Sequence, residues 1–162
     1  EQYVSTFLDI MGFDAITVNP LLGIDVLKPI LEREKAFAFV LTLTSNPSAN
    51  DFFVQENMAV KIAKWLSPFP LEKIGAVVGA TQVNQLKEMR ELMPGRIFLI
   101  PGIGVQGGNL EAVMRYTRDS DDYPHILINS SRGIIFQDSS SKFAQAAALA
   151  AESLHNKIGV YT

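Results

Sequence analysis

A chain of 162 residues, 48% hydrophobic and 19% charged with a net charge of −3, is about one domain long and can bury a real core. Mild acidity and scattered Lys/Arg give no basic stripe, which argues against nucleic acid as a partner and means that an anionic small ligand needs a local site. Zero cysteines exclude disulfides and thiolate metal sites, and no apolar run reaches the roughly 18 residues that span a bilayer, so the expected location is cytoplasmic with no membrane partner.

The chain opens "EQYVSTFLDIMGFDA" without an initiator Met or a capping residue, while Tyr3, Phe7, Leu8 and Met11 already follow helical spacing. The sequence is therefore expected to begin inside a helix, with something missing upstream. "DAITVN" (14–19) reads as a short strand, and "PLLGIDVLKPILE" as a helix carrying Leu21, Leu22, Val26, Leu27, Ile30 and Leu31. "AFAFVLTLT" (36–44) is apolar on both faces, as a strand covered on both sides must be. After the turn "SNPSAND", "FFVQENMAVKIAKWL" suits an amphipathic helix through Phe53, Met58, Ile62 and Trp65. The strands "IGAVVGAT", "RIFLIPG" and "HILINSS" then alternate with the helices "QVNQLKEMREL", "NLEAVMRYT" and "SSSKFAQAAALAAESLHNKI", the last with serines available as an N-cap.

Strand and helix alternating across short turns predict a parallel sheet with right-handed crossovers in about five units. No linker or composition shift divides them, so residues 1–162 read as one structural unit. Two architectures fit: an open doubly wound sheet, or part of an eightfold β/α barrel, which when complete takes about 250 residues. Either way ligands bind at the carboxyl ends of the strands.

Those ends are "VNP", "TSNPS", "GAT", "PGIGVQGGN" and "NSSRG". In "PGIGVQGGN" the glycines let backbone N–H groups approach a ligand, the helix starting near Asn109 adds a favourable dipole, and Gln106 offers an amide donor. This is a phosphate cradle in principle, although a tight strand-to-helix turn uses glycines equally well; neither a P-loop nor a dinucleotide fingerprint is present. Arg132 in "NSSRG" supplies a fork of donors suited to an anion. A glycine turn and an Arg on the last two strands match where barrel enzymes build phosphate sites, the alternative being that Arg132 pairs with a carboxylate such as Asp138. Ser45 and Asn46 in "TSNPS" could read a planar polar ring, but Asn-Pro is first a turn signal. His125 and His155 lack a partner at metal spacing and read as structural or surface residues, and "DSDD" (119–122) reads as a solvated turn. No Ser-His-Asp order, strand-end Lys or paired strand-end carboxylates are found, so the residues outline a binding site without an engine.

Taken in order, "FDAITVNPLLGIDVLKPIL", "TSNPSANDF", "GAVVGAT", "PGIGVQGGNLEAV" and "INSSRGI" resemble orotidine 5′-phosphate decarboxylase, in its longer bacterial subfamily, over essentially the whole chain. The resemblance implies a (β/α)8 TIM-barrel homodimer that converts orotidine 5′-monophosphate to uridine 5′-monophosphate and CO2 in pyrimidine biosynthesis, with neither cofactor nor metal. It implies that Gln106 and Arg132, with backbone amides at Ser131 and around Gly104 to Gly108, hold the phosphate, that Ser45 contacts the pyrimidine, and that Pro101 lines the ring pocket. The family's chemistry uses a Lys on an earlier strand and an Asp-x-Lys-x-x-Asp run after the third strand, and neither is present here. The chain is accordingly expected to be the C-terminal portion of a single barrel domain, about five strand-helix units, with no catalytic residue of its own and no activity alone. The competing functions are another phosphate-binding barrel enzyme acting on a sugar phosphate, or a non-catalytic phospholigand-binding domain.

Overall fold

Five strands, β1 (Ala15–Val18), β2 (Phe37–Leu43), β3 (Ile74–Val78), β4 (Phe98–Pro101) and β5 (Ile126–Asn129), pair in the order of the chain, every pair parallel. A doubly wound sheet reverses its strand order at a switch point, whereas each crossover here steps on to the next strand in the same direction. The sheet is therefore a segment of a β/α barrel, which decides between the two architectures the sequence left open. These relations come from a computed structural model that describes residues 1–104, 107–119 and 125–161.

The helices are α1 (Gln2–Val4), α2 (Lys28–Leu31), α3 (Met58–Leu66), α4 (Val83–Leu92), α5 (Leu110–Tyr116), α6 (Arg132–Ile135) and α7 (Phe143–Gly159). In α3 the buried residues Ala59, Ile62, Ala63 and Leu66 fall at i, i+3, i+4 and i+7, one stripe of a 3.6-residue helix. That stripe meets the sheet face formed by Ala38, Val40, Ile74, Ala76, Val78, Phe98 and Ile100, all in one core cluster with Leu86 and Met89 of α4 and Val113 of α5. Each such large side chain contributes roughly 1.5–3 kcal/mol of burial.

Strand alternation sends the intervening residues to the opposite, barrel-facing side. Register aligns Leu41, Val77, Leu99 and Leu127 across four strands there, and Pro101 with Asn129 one level higher. Phe39 and Val77 on that face are buried, yet Leu127 is 51% exposed, the open interior expected of a barrel segment. A register shift between Leu41 and Leu43 marks a bulge near the end of β2, a device that bends a strand and re-aims the residues beyond it.

Several expectations from the sequence are corrected. The helix expected over "PLLGIDVLKPILE" is a 3-10 turn over Pro20–Val26, interrupted at Gly23 (φ 65°), and then the four-residue α2. Asn19 accepts from the Leu21 N–H and Pro20 sets the first φ, so local turn chemistry wins over the apolar period, and Leu21 and Leu22 stay exposed. The helix expected from Phe52 breaks at Asn57, which adopts a left-handed φ of 53° between a π-type turn (Asn50–Val54) and α3. No serine caps α7: its N-cap is Lys142, and Ser140 Oγ instead accepts from the Lys142 N–H.

At the amino ends of β4 and β5, opposite the strand ends where β/α barrels place their ligand sites, lies a polar cluster. Of the acidic run at 119–122, residues 120–122 lie outside the described residues, and Asp119 is no solvated turn residue: its side chain is 6% exposed, 3.2 Å from the Arg90 guanidinium and 2.7 Å from His125 Nδ1, and it accepts from the Gly95 N–H at 3.0 Å. Arg90 also donates to the carbonyls of Thr117, Met93 and Arg96 and lies 3.8 Å over the Phe98 ring. His125 is thus structural, as the sequence suggested.

Candidate functional site

The carboxyl ends of β2, β3, β4 and β5 are laced together by backbone contacts. Gly79 N–H donates to Leu43 O at 2.8 Å and Ala80 N–H to Pro101 O at 2.9 Å. Thr81 Oγ1 donates to Ser45 O at 2.8 Å, fixing the turn after β2 against the end of β3. That turn packs so closely that a Cβ on Gly79 would sit 2.7 Å from Ser45 N and Cα, which no ordinary side chain tolerates. Ser45 is half-buried and held at its strand end by these contacts.

After β4 the chain makes the glycine turn. Gly102, Gly104 and Gly107 have φ of 102°, 90° and 84°. Gly107 N–H donates to Gly104 O at 2.8 Å and Gly108 N–H to Gly102 O at 2.9 Å, so these two amides close the turn on itself. Asn109 Oδ1 accepts from the Ala112 N–H and caps α5. Gln106 lies outside the described residues. Gly108 is where the backbone comes closest: a Cβ there would stand 2.5 Å from Gly102 O and 2.6 Å from the Ala80 Cβ. Gly108→Ala is expected to destabilise the protein by about 1–3 kcal/mol through overpacking, read as a lower urea midpoint, and to loosen the whole strand-end platform because the ends of β3 and β4 meet at this contact.

After β5, Ser131 O accepts from Ile134 and Ile135 N–H to start α6, whose first residue is Arg132. Arg132 is exposed, and among the described residues its guanidinium makes no ion pair. Asp138, the alternative partner, is engaged elsewhere. It accepts from the Ser140 N–H at 2.6 Å, and that bond together with the Ser140 side chain holds its carboxyl below the usual range. Ser130 Oγ donates to Ile103 O at 3.3 Å and bridges the glycine turn to the arginine turn. Ser131 Oγ donates to Asn129 Oδ1 at 3.3 Å.

Between the two turns is a cleft of about 170 Å³ bounded by Pro101, Gly102, Asn129, Ser130, Ser131 and Arg132. At roughly 30 Å³ of liquid per water this admits a phosphate group or a few waters. Among the described residues lining it are one cation and several hydroxyl, amide and backbone groups and no carboxylate, which favours an anion. The structure thus brings Pro101, Ser131 and Arg132 to one cleft, with Ser45 at the end of the strand two places away. Sequence reasoning missed Asn129 and Ser130, although both lie in "NSSRG"; what sets Asn129 level with Pro101 is the register of β5 against β4. Among the described residues no group of His, Asp and Glu is placed to hold a metal ion.

The profile of the orotidine 5′-phosphate decarboxylase / HUMPS family matches residues 1–147. The chain belongs to this family. Among curated members, the orotidine 5′-phosphate decarboxylase of Dehalococcoides mccartyi strain BAV1 is 40% identical over 99% of this chain and 63% of its own length. That of Christiangramia forsetii is 37% identical over 97% of this chain and 59% of its own length. Among solved members, the UMP synthase of Leishmania donovani superposes with a TM-score of 0.81 at 31% identity, covering 97% of this chain and 35% of that one. The OMP decarboxylase of the same organism gives 0.79 at 27% identity, covering 99% and 62%. The chain therefore spans about three fifths of the length of the curated family members it matches. Family membership makes the five-stranded sheet part of a (β/α)8 barrel and places the cleft at the barrel's strand-end mouth.

Proposed function

We propose that the protein is an orotidine 5′-phosphate decarboxylase, a carboxy-lyase of pyrimidine biosynthesis, and that residues 1–162 supply its grip on the substrate. The observation that carries this reading is the juxtaposition of the Pro101 strand end with the Ser131–Arg132 turn around one cleft that no carboxylate lines among the described residues, in a chain 40% identical to a curated decarboxylase over 99% of its residues. Arg132, Gln106 and the amides near Ser131 hold the 5′-phosphate, Ser45 meets the pyrimidine, and Pro101 lines the ring pocket.

Loss of CO2 leaves a carbanion at C6 of the pyrimidine, so the reaction needs a cation placed to stabilise that charge and to return a proton. The family's Asp-x-Lys-x-x-Asp run suits this task and does not occur in the 162 residues. These residues contribute remote binding energy: holding the phosphate can drive closure of the site and be realised in the transition state. No cofactor or metal enters this scheme. A homodimer and a cytoplasmic location belong to the same reading; among the described residues no helix is long and apolar enough to cross a membrane.

The test is direct. The full-length gene product, incubated with orotidine 5′-monophosphate, is expected to release CO2 and form uridine 5′-monophosphate, whereas residues 1–162 alone are expected to show no turnover. A full-length protein that leaves this nucleotide intact but transforms a sugar phosphate would replace the reading with that of another phosphate-binding barrel enzyme, and turnover by the 162-residue chain would show that the engine lies within it.

A further inference from the structure

Asn129 is the last residue of β5, and its environment specifies a role that its position beside Arg132 does not reveal at first. Alternation along β5 sends Ile126 and Ile128 toward the helices and Leu127 and Asn129 toward the barrel interior. The register then sets Asn129 directly beside Pro101, so the carboxamide stands on the barrel-facing wall of the cleft.

A carboxamide has an accepting end and a donating end, and the bonds around it decide which end faces where. Ser131 Oγ, two residues on, donates to Asn129 Oδ1 at 3.3 Å. The accepting end is thereby engaged by the chain's own hydroxyl, and the Nδ2 group is left as the end offered outward. Among the described residues that group has no hydrogen-bond partner, and the side chain is exposed to the cleft. A pair of N–H donors thus stands with Arg132 around one small space that, among the described residues, no carboxylate lines. Had the amide been turned the other way, an oxygen would have faced the ligand and opposed an anion.

Resting on the nucleotide reading above, we infer that Asn129 is a phosphate-binding residue: its Nδ2, at the strand end beside Pro101 and Arg132, donates to an oxygen of the ligand's 5′-phosphate. The division of labour follows from chemistry. Arg132 supplies charge on a long, exposed stem, whereas Asn129 supplies a short donor on a strand end, which selects where the phosphate stops relative to Pro101.

The experiment uses the full-length protein and measures binding of uridine 5′-monophosphate, uridine and inorganic phosphate by calorimetry or competition. Asn129→Ala is expected to weaken uridine 5′-monophosphate roughly tenfold, the size of one hydrogen bond to a charged acceptor, and to leave uridine within about twofold. Asn129→Asp is isosteric and still accepts from Ser131, so folding is preserved, but it sets a negative charge against the phosphate and should weaken the nucleotide and inorganic phosphate further than Ala does. Unchanged nucleotide affinity in both variants, or equal losses for uridine and its 5′-monophosphate, would overturn the inference while leaving the functional reading intact. A wild-type protein that binds no 5′-mononucleotide would overturn the functional reading and the inference with it.

Discussion

Replacing Arg132 with Ala in the full-length protein is expected to lower kcat/KM for orotidine 5′-monophosphate by roughly 10²- to 10³-fold, the size of one or two hydrogen bonds to a charged group. The slow decarboxylation of the phosphate-free nucleoside should change little. The reason lies in the surroundings of Arg132. Among the described residues it is the single cation lining the cleft and forms no ion pair, and Asp138 is occupied by Ser140. Its fork of N–H groups is therefore available to a phosphate, and such charge-assisted bonds are about twice as strong as neutral ones. Because the phosphate is remote from C6, the loss should fall on the free energy that closes the site over the ring and not on the bond-breaking groups. Arg132→Lys keeps the charge without the fork and should fall between wild type and Ala. Equal losses for nucleotide and nucleoside would remove Arg132 from the phosphate site.

The parts of the fold legible in the sequence are those where one signal dominates. β2 and β3 are continuous apolar runs bounded by turn residues, so their positions follow from the runs alone, whereas the 3.6-residue stripe of α3 was legible but its start was not, because Asn57 breaks the helix expected from Phe52. The segment around Leu21 and Leu22 misled because apolar spacing was present but Asn19, Pro20 and Gly23 impose a turn that periodicity cannot see. In the candidate site, the placement of Arg132 and of the glycine turn at strand ends was legible from the order of apolar runs and turns. Asn129 was not, because its meaning depends on a register with β4 and on the direction of a hydroxyl bond from Ser131. Asp119 is the sharpest case: in the sequence it opens an acidic run that reads as solvent-facing, and only folding places Arg90, Gly95 and His125 around it.

Asp119→Ala is accordingly expected to destabilise the full-length protein by about 3–5 kcal/mol, the range for breaking a buried ion pair from one side. The Arg90 and Asp119 side chains are 5% and 6% exposed, so water cannot take the place of the lost carboxylate. Backbone carbonyls of Thr117, Met93 and Arg96 would still satisfy Arg90 hydrogen bonds, and the Phe98 face would remain beneath it, but none of these groups carries the countercharge. The Gly95 N–H and His125 Nδ1 would lose their acceptor at the same time. Asp119→Asn keeps an acceptor for one of those donors and should cost less than Ala. The cluster sits at the amino ends of β4 and β5, a strand length from Pro101 and Asn129, so the folded fraction of either variant should bind uridine 5′-monophosphate with wild-type affinity. Urea unfolding gives the stability change and titration of the folded protein gives the affinity. A loss under about 1 kcal/mol would mean that the backbone carbonyls alone suffice for Arg90, and a parallel loss of affinity would mean that the two ends of these strands are coupled.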